Sequence, residues 1–188
     1  MFLYKVDDEV ELGLLQHHYS QQLFTLVDQN RVYLREWLNW VDGTKTIADT
    51  ELFVGRSLQR FANNNGVTCG IWYRRELCGC IDLHEVNWSD RKSSIGYWLV
   101  APLQGKGIMT RACNGLMRYG FDELNLHRIV IYVAAENFKS RAIPERLGFQ
   151  QDGVLRQSIW MYDRFLDLVV YSLLASEWNA QKPATVRQ

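Results

Sequence analysis

The chain has 188 residues, 47% hydrophobic and 22% charged, with three prolines and thirteen glycines, a balance that excludes disorder and collagen-like repetition. Twenty-one Lys and Arg offset twenty-one Asp and Glu, so no overall positive field exists to draw in nucleic acid or an anionic membrane. The longest apolar stretches, Ile95 to Leu103 and Leu166 to Ala175, fall far short of the roughly 20 residues that span a bilayer, and Asp7, Asp8 and Glu9 interrupt the apolar start where a signal peptide would continue.

Val10 to Leu15 alternates apolar and polar residues and predicts an opening strand. Apolar residues then recur at spacings of three and four from Ser20 to Trp40, predicting two helices broken near Asp28 to Asn30. After a polar loop from Val41 to Thr46, a helix capped by Thr46 or Asp49 runs to the stop at Asn63-Asn64-Asn65-Gly66. From Val67 the sequence turns to short runs of Val, Ile, Trp, Tyr and Cys. These predict an antiparallel meander of strands near Val67 to Tyr73, Leu77 to Glu85 and Ser93 to Ala101.

Pro102 closes the third strand, Gln104-Gly105-Lys106-Gly107 makes a turn, and Met109 to Leu124 repeats at helical spacing. Arg128 to Ala134 predicts a buried strand, Asn137 to Leu147 a short helix ended by Gly148, and Phe149 to Arg156 with Leu166 to Ala175 a final strand pair. With no linker or repeat, the expectation is one domain over 1–180 and a frayed tail over 181–188.

Cys69, Cys78, Cys80 and Cys113 lack metal-ligand spacing, and a chain of this length needs no disulfide staples, so buried thiols in the reducing cytoplasm are expected. Cys78 and Cys80, two apart in a strand, are expected to share a face.

A strand feeding Gln104-Gly105-Lys106-Gly107 and then a helix is a physical anion site: glycines allow close backbone approach and the helix start adds partial positive charge. Taken alone the signal is weak, and an ordinary glycine-rich turn is the commoner reading. A dinucleotide fingerprint would want glycine where Thr110 stands, a P-loop would want one at Val100, and a zinc-protease motif after His84-Glu85 would want histidine at Trp88. No metal site is visible.

Together with the order of elements, Gln104-Gly105-Lys106-Gly107-Ile108-Met109-Thr110 resembles the acetyl-CoA pyrophosphate loop, Q/R-x-x-G-x-G/A, of the GCN5-related N-acetyltransferase (GNAT) superfamily. Ile95-Gly96-Tyr97-Trp98-Leu99, Asn137-Phe138-Lys139-Ser140-Arg141 and Glu145-Arg146-Leu147-Gly148-Phe149 further resemble its RimJ/RimL branch, whose members acetylate ribosomal-protein N-termini. Met109 departs from the general Gly or Ala, at no cost to backbone N–H donation. The resemblance implies an α/β (α+β) fold with a mixed, mostly antiparallel sheet of six to seven strands, splayed between the fourth and fifth and flanked by helices.

It also implies acetyl-CoA in the splay, bound by Leu99, Val100, the loop from Gln104 to Thr110, Asn137, Ser140 and Arg141. A backbone N–H near Leu99 or Val100 would stabilise the carbonyl oxygen as charge builds on it, and Ser140 is the candidate acid. The glutamate proposed as base in the branch has no counterpart in Gln157-Ser158-Ile159-Trp160, which leaves Asp82, His84 and Glu85, each more often a strand-end polar residue or a satisfied hydrogen-bond partner than a base. An α-amine of pKa about 7.8 is roughly one-seventh neutral at pH 7, whereas a lysine of about 10.4 is neutral about once in 2,500 molecules. A missing base therefore suits an N-terminal acceptor.

Trp37, Trp40 and Trp160, with the segment Ser158 to Phe165 as the last loop, are expected to face the acceptor, or else to pack a small core or a dimer contact. The resemblance implies an N-acetyltransferase for a protein N-terminus, a ribosomal protein first, acting as a cytoplasmic homodimer. Alternatives are a small amine as acceptor, for which Asp163 and Asp167 offer little acidic character, and a module that binds acyl-CoA without turnover.

Overall fold

The computed structural model describes residues 3–181. Its eight strands form one sheet in the order β1-β2-β3-β4-β5-β6-β8-β7. The first five, β1 (Leu3–Lys5), β2 (Val10–Leu14), β3 (Gly66–Tyr73), β4 (Glu76–Asn87) and β5 (Lys92–Leu99), are antiparallel neighbours. Next, β6 (Arg128–Ala134) runs parallel to β5, while β7 (Gln150–Met161) and β8 (Arg164–Leu174) close the sheet as a hairpin. The count exceeds the expected six to seven because Leu3 to Lys5 adds an outer strand beyond β2.

Between β2 and β3 lie α1 (Ser20–Gln29), α2 (Arg31–Arg35) and α3 (Ile47–Ala62). Thr46 caps α3 in a reciprocal box with Asp49, so both candidate caps take part. The predicted helix from Met109 is α4 (Ile108–Arg118) followed by a π turn over Tyr119–Glu123. Asn137 caps α5 (Phe138–Arg146), its Oδ1 accepting the Ser140 N–H at 3.1 Å. A short α6 (Ala175–Gln181), not expected from the sequence, follows β8. Of the expected tail, Gln181 ends α6 and 182–188 lie outside the described residues.

The two faces of the sheet carry separate cores. Ile81 and Leu83 of β4 pack with Ile108, Leu116, Met117 and Phe121 on the α4 side, while Trp72, Leu77 and Cys80 pack with Leu23 and Val54 on the α1 and α3 side. Cys78 and Cys80 join different cores. The register shifts between Ile71 and Trp72, opposite Gly79 and Leu77, so Cys78 is the extra residue of a bulge and the alternation resets there. All four cysteines are buried free thiols.

Candidate active site

β5 and β6 pair only at Lys92–Arg128, Ser93–Ile129 and Ser94–Val130, and beyond these three pairs they part. On its other side β6 stays paired to β8 from Arg128 to Ala134. The result is a wedge in the sheet, widening toward Leu99, whose walls are two strands with backbone groups facing a gap. In an antiparallel pair, successive residues present their N–H and C=O groups to opposite sides. Val100 donates its N–H to Cys78 O at 2.9 Å, so the N–H of Leu99, one residue earlier, points into the wedge. Of the two candidate donors, Leu99 is the one that faces the gap.

The glycine loop crosses the mouth of the wedge. Gly105 (φ +73°) and Gly107 (φ +71°) are both left-handed, and a Cβ on either would meet nothing within 4 Å. Glycine is needed there for backbone conformation and not for space. Gly107 is the N-cap of α4, so the first-turn N–H groups of that helix have no intrahelical acceptor and open toward the wedge. Gln104 donates to the Tyr33 hydroxyl, tying the loop to α2. Lys106, Arg111, Lys139 and Arg146 line this end. Arg111 is already engaged by Asp7 at 3.1 Å and Glu9 at 3.2 Å, and Arg146 donates to Thr110 Oγ1 at 3.0 Å.

The cleft, about 1540 Å³, is lined by Leu99, the whole run Gln104 to Thr110, Asn137, Ser140 and Trp37. Other expected residues are turned elsewhere. Val100 is buried with its N–H committed, and Arg141 ties α5 to the sheet through Tyr171 Oη at 2.9 Å and Ala135 O at 3.1 Å. Trp40 and Trp160 stay outside the cleft. Trp40 is half-exposed beside Trp98, and Trp160 is 50% exposed, packed edge-on against Phe165 at 4.7 Å between ring centroids. The segment from Ser158 is hairpin and not loop, and its cleft-facing side chains are Ile159 and Met161.

Asp82 and His84 stand behind the wall. Both belong to β4, opposite Gly96 and Ser94 of β5. Gly96 lines the cleft, and a Cβ there would come within 2.8 Å of Asp82 Oδ1 and 3.3 Å of His84 Cε1. The missing side chain is what lets the pair lie against the wedge's narrow end. His84 Nδ1 is 3.2 Å from Asp82 Oδ1, and Arg60 approaches Asp82 at 3.5 Å. Burial pulls the His84 pKa down, but the hydrogen bond and charge of Asp82 outweigh it, and the net shift is upward.

Ser140 sits early in α5 at the wedge, its Oγ 3.1 Å from Tyr97 Oη, which also donates to Ser140 O at 3.2 Å. Burial pushes the Tyr97 hydroxyl far above its ordinary pKa, so it stays protonated. Tyr33 and Glu36 line the cleft without having been singled out in the sequence, and Gly96 and Tyr97 line it as members of the strand motif to which no site role was given. For Glu36 only its adjacency to Trp37 pointed near the cleft.

Among the described residues no group of three or more His, Cys, Asp or Glu could hold a metal ion, and no helix is long and apolar enough to cross a membrane. The wedge does fit an extended acyl-CoA: open strand edges for an amide-bearing arm, and a left-handed glycine turn, a helix start and cations for a diphosphate.

A family model described as an acetyltransferase (GNAT) domain matches residues 11–150. YdaF of Bacillus subtilis strain 168, which carries a provisional name as a ribosomal N-acetyltransferase, is 39% identical over 184 residues, 97% of this chain and 100% of its own. The ribosomal-protein-serine acetyltransferase of Escherichia coli K12 is 27% identical over 168 residues, 89% of this chain and 94% of its own. Among solved structures, the microcin C7 self-immunity acetyltransferase MccE, in complex with acetyl-CoA and AMP, superposes with a TM-score of 0.87 at 30% identity, covering 90% of this chain and 94% of that one.

Proposed function

The chain belongs to the GNAT acetyltransferase family and is an N-acetyltransferase, and on that footing we propose that it uses acetyl-CoA to acetylate the N-terminal α-amine of a protein, a ribosomal protein first. The observation that carries this reading is the wedge between β5 and β6 with the glycine turn across its mouth. Bound acetyl-CoA supplies an acetyl group already activated as a thioester. The residues of the chain do the rest. The turn from Gln104 to Thr110, with Lys106, holds the diphosphate, and the open edges of β5 and β6 hold the arm. The N–H of Leu99 donates to an oxygen that gains negative charge during transfer. Ser140 Oγ holds the proton that the departing sulfur needs, in contact with Tyr97 Oη.

Asn137 acts through Ser140, since its Oδ1 caps the N–H of that residue. The proton leaving the amine passes along water to the His84–Asp82 pair, beside Gly96 at the narrow end. This indirect route supports an α-amine over a lysine, because about one α-amine in seven is already neutral at pH 7. Trp37 packs against the acceptor. The exposed Trp160–Phe165 pair, left outside the cleft, supports a homodimer, and the buried free thiols support a cytoplasmic location.

The test is intact-mass spectrometry of unacetylated ribosomal proteins incubated with the enzyme and acetyl-CoA, with spermidine and an aminoacyl nucleotide as parallel acceptors. One acetyl group on one N-terminus is the expected result. Acetylation of a small amine alone would transfer the reading to small-molecule acetylation, a direction that the likeness to MccE supports. Acetyl-CoA binding with no transfer to any acceptor would make the chain a binding module. Light scattering in the same buffer should give twice the chain mass.

A further inference from the structure

The two ends of the cleft differ in charge. The loop end carries Lys106, Lys139 and Arg146, whereas the end between α2 and the β7–β8 hairpin is walled by Trp37, Leu38, Trp98, Ile159 and Met161. Two carboxylates line the cleft, Glu136 just before the α5 cap Asn137 and Glu36 just past the last residue of α2, and Glu36 is the one at the apolar end. Its side chain is exposed, and the arginines before it are committed elsewhere. Arg35 pairs with Asp42 at 2.9 Å and lies 3.9 Å over the ring of Tyr162, while Arg31 pairs with Asp28 at 2.8 Å and with backbone carbonyls. The carboxylate is close enough to Tyr33 to help raise the pKa of its hydroxyl, behind the effect of burial.

Glu36 is also a ridge. A second hollow of about 380 Å³ opens on its far side, lined by Arg35, Tyr162, Asp163 and Arg164 and sharing Glu36 and Met161 with the main cleft. The ridge is held in place from the hairpin: Tyr162 Oη donates to Leu38 O at 2.7 Å, and Asn39 Nδ2 donates to Trp160 O at 3.3 Å.

An acceptor amine reaches this entrance mainly as an ammonium, and an apolar passage alone would repel it. We propose that Glu36 is the acceptor-binding carboxylate, which takes the ammonium at the entrance, and that the adjoining hollow takes the chain that follows the amine. This rests on the reading of the cleft as an N-acetyltransferase site and assigns the group that selects a cationic acceptor. A carboxylate at a rim acts over a distance, so its effect is sensitive to salt.

The experiment is steady-state kinetics of the full chain with a seryl amide, a serine-terminated pentapeptide and spermidine as acceptors, over a range of ionic strength. Glu36→Gln should raise acceptor KM about fivefold, flatten its rise with salt and leave the KM for acetyl-CoA and kcat unchanged, with Glu36→Asp restoring most of the loss. The pentapeptide should show a lower KM than the seryl amide. If transfer occurs and Glu36→Gln changes neither the acceptor KM nor its salt dependence, the role of Glu36 is refuted while the activity stands. Equal KM for the two seryl acceptors refutes the part played by the hollow. No transfer to any acceptor refutes the activity itself, and this proposal with it.

Discussion

Replacing Gly107 isolates backbone conformation from side-chain size. The residue sits at φ +71° and ψ 3°, where an L-residue pays about 1–2 kcal/mol, and a Cβ built there meets nothing within 4 Å. The cost is therefore conformational, and it has two destinations. If the variant keeps the left-handed turn, the folded state carries the penalty and Tm falls by about 2–8 °C for a chain of this size. If the turn relaxes, stability is spared and CoA must restore it on binding, which weakens affinity by about 5- to 30-fold. Calorimetric titration with CoA, alongside thermal melts of the same samples, measures both. The losses together should come to about 1–2 kcal/mol for Gly107→Ala. Asn tolerates this conformation better than Ala, and β-branched Val tolerates it worst, so affinity should fall in the order Gly, Asn, Ala, Val although Asn is larger than Ala. Losses that track side-chain volume, or an alanine variant unchanged in both Tm and affinity, would refute this account of the turn.

Ser140→Ala should lower kcat by about 100-fold and leave acetyl-CoA affinity within about twofold, since Tyr97 Oη keeps a partner in Ser140 O at 3.2 Å; an unchanged kcat removes Ser140 from the chemistry. NMR titration should place the His84 midpoint above that of a free imidazole, and Asp82→Asn should bring it below, because burial, joined by the Arg60 charge, then outweighs the remaining upward pull of Glu85. The sign for stability follows: the pair's contribution is complete below the unfolded pKa of about 6.5 and is lost as pH rises through the raised folded value, so the Asn variant should lose most stability at low pH. Tyr162→Phe removes the hydroxyl bound to Leu38 O at 2.7 Å, costs about 1 kcal/mol, and should raise acceptor KM while the acetyl-CoA Kd stays put; a change in Kd instead would mean that the strap supports the donor end.

What could be read from the sequence was local chemistry. The turn at Gly105 and Gly107, the Thr46 cap, the Asn137 cap and the buried strands β3 to β6 each follow from a few adjacent residues, and each stands where the sequence puts it. The hairpin was harder. Most of β7 is exposed, so its residues carry no alternation to read, and its second half looked like loop. The register shift between Leu155 and Ile159, with Gln157 left-handed and its N–H held by Asp167 Oδ1 at 2.8 Å, decides which side chains reach the cleft. That shift turns Ile159 inward and leaves Trp160 outside, an outcome that depends on pairing across the hairpin. Arg141 and Cys78 escaped for the same kind of reason: a tertiary partner in one case and a bulge in the other set the direction of the side chain.

The same irregular strand also governs how the sheet meets other chains. β7 is an outer strand of twelve residues with one open side, the feature that commonly seeds fibres by recruiting a second strand. Here the pairing register breaks twice, between Gln151 and Gly153 and between Leu155 and Ile159, and Asp152 and Arg156 put charge at those breaks. An incoming strand would find only a few residues of regular hydrogen-bonding repeat before losing step. At the opposite border, β1 is three residues long and ends in Lys5. Both borders thus resist polymerisation, and a durable contact between two copies has to form through side-chain surfaces instead of by extending the sheet.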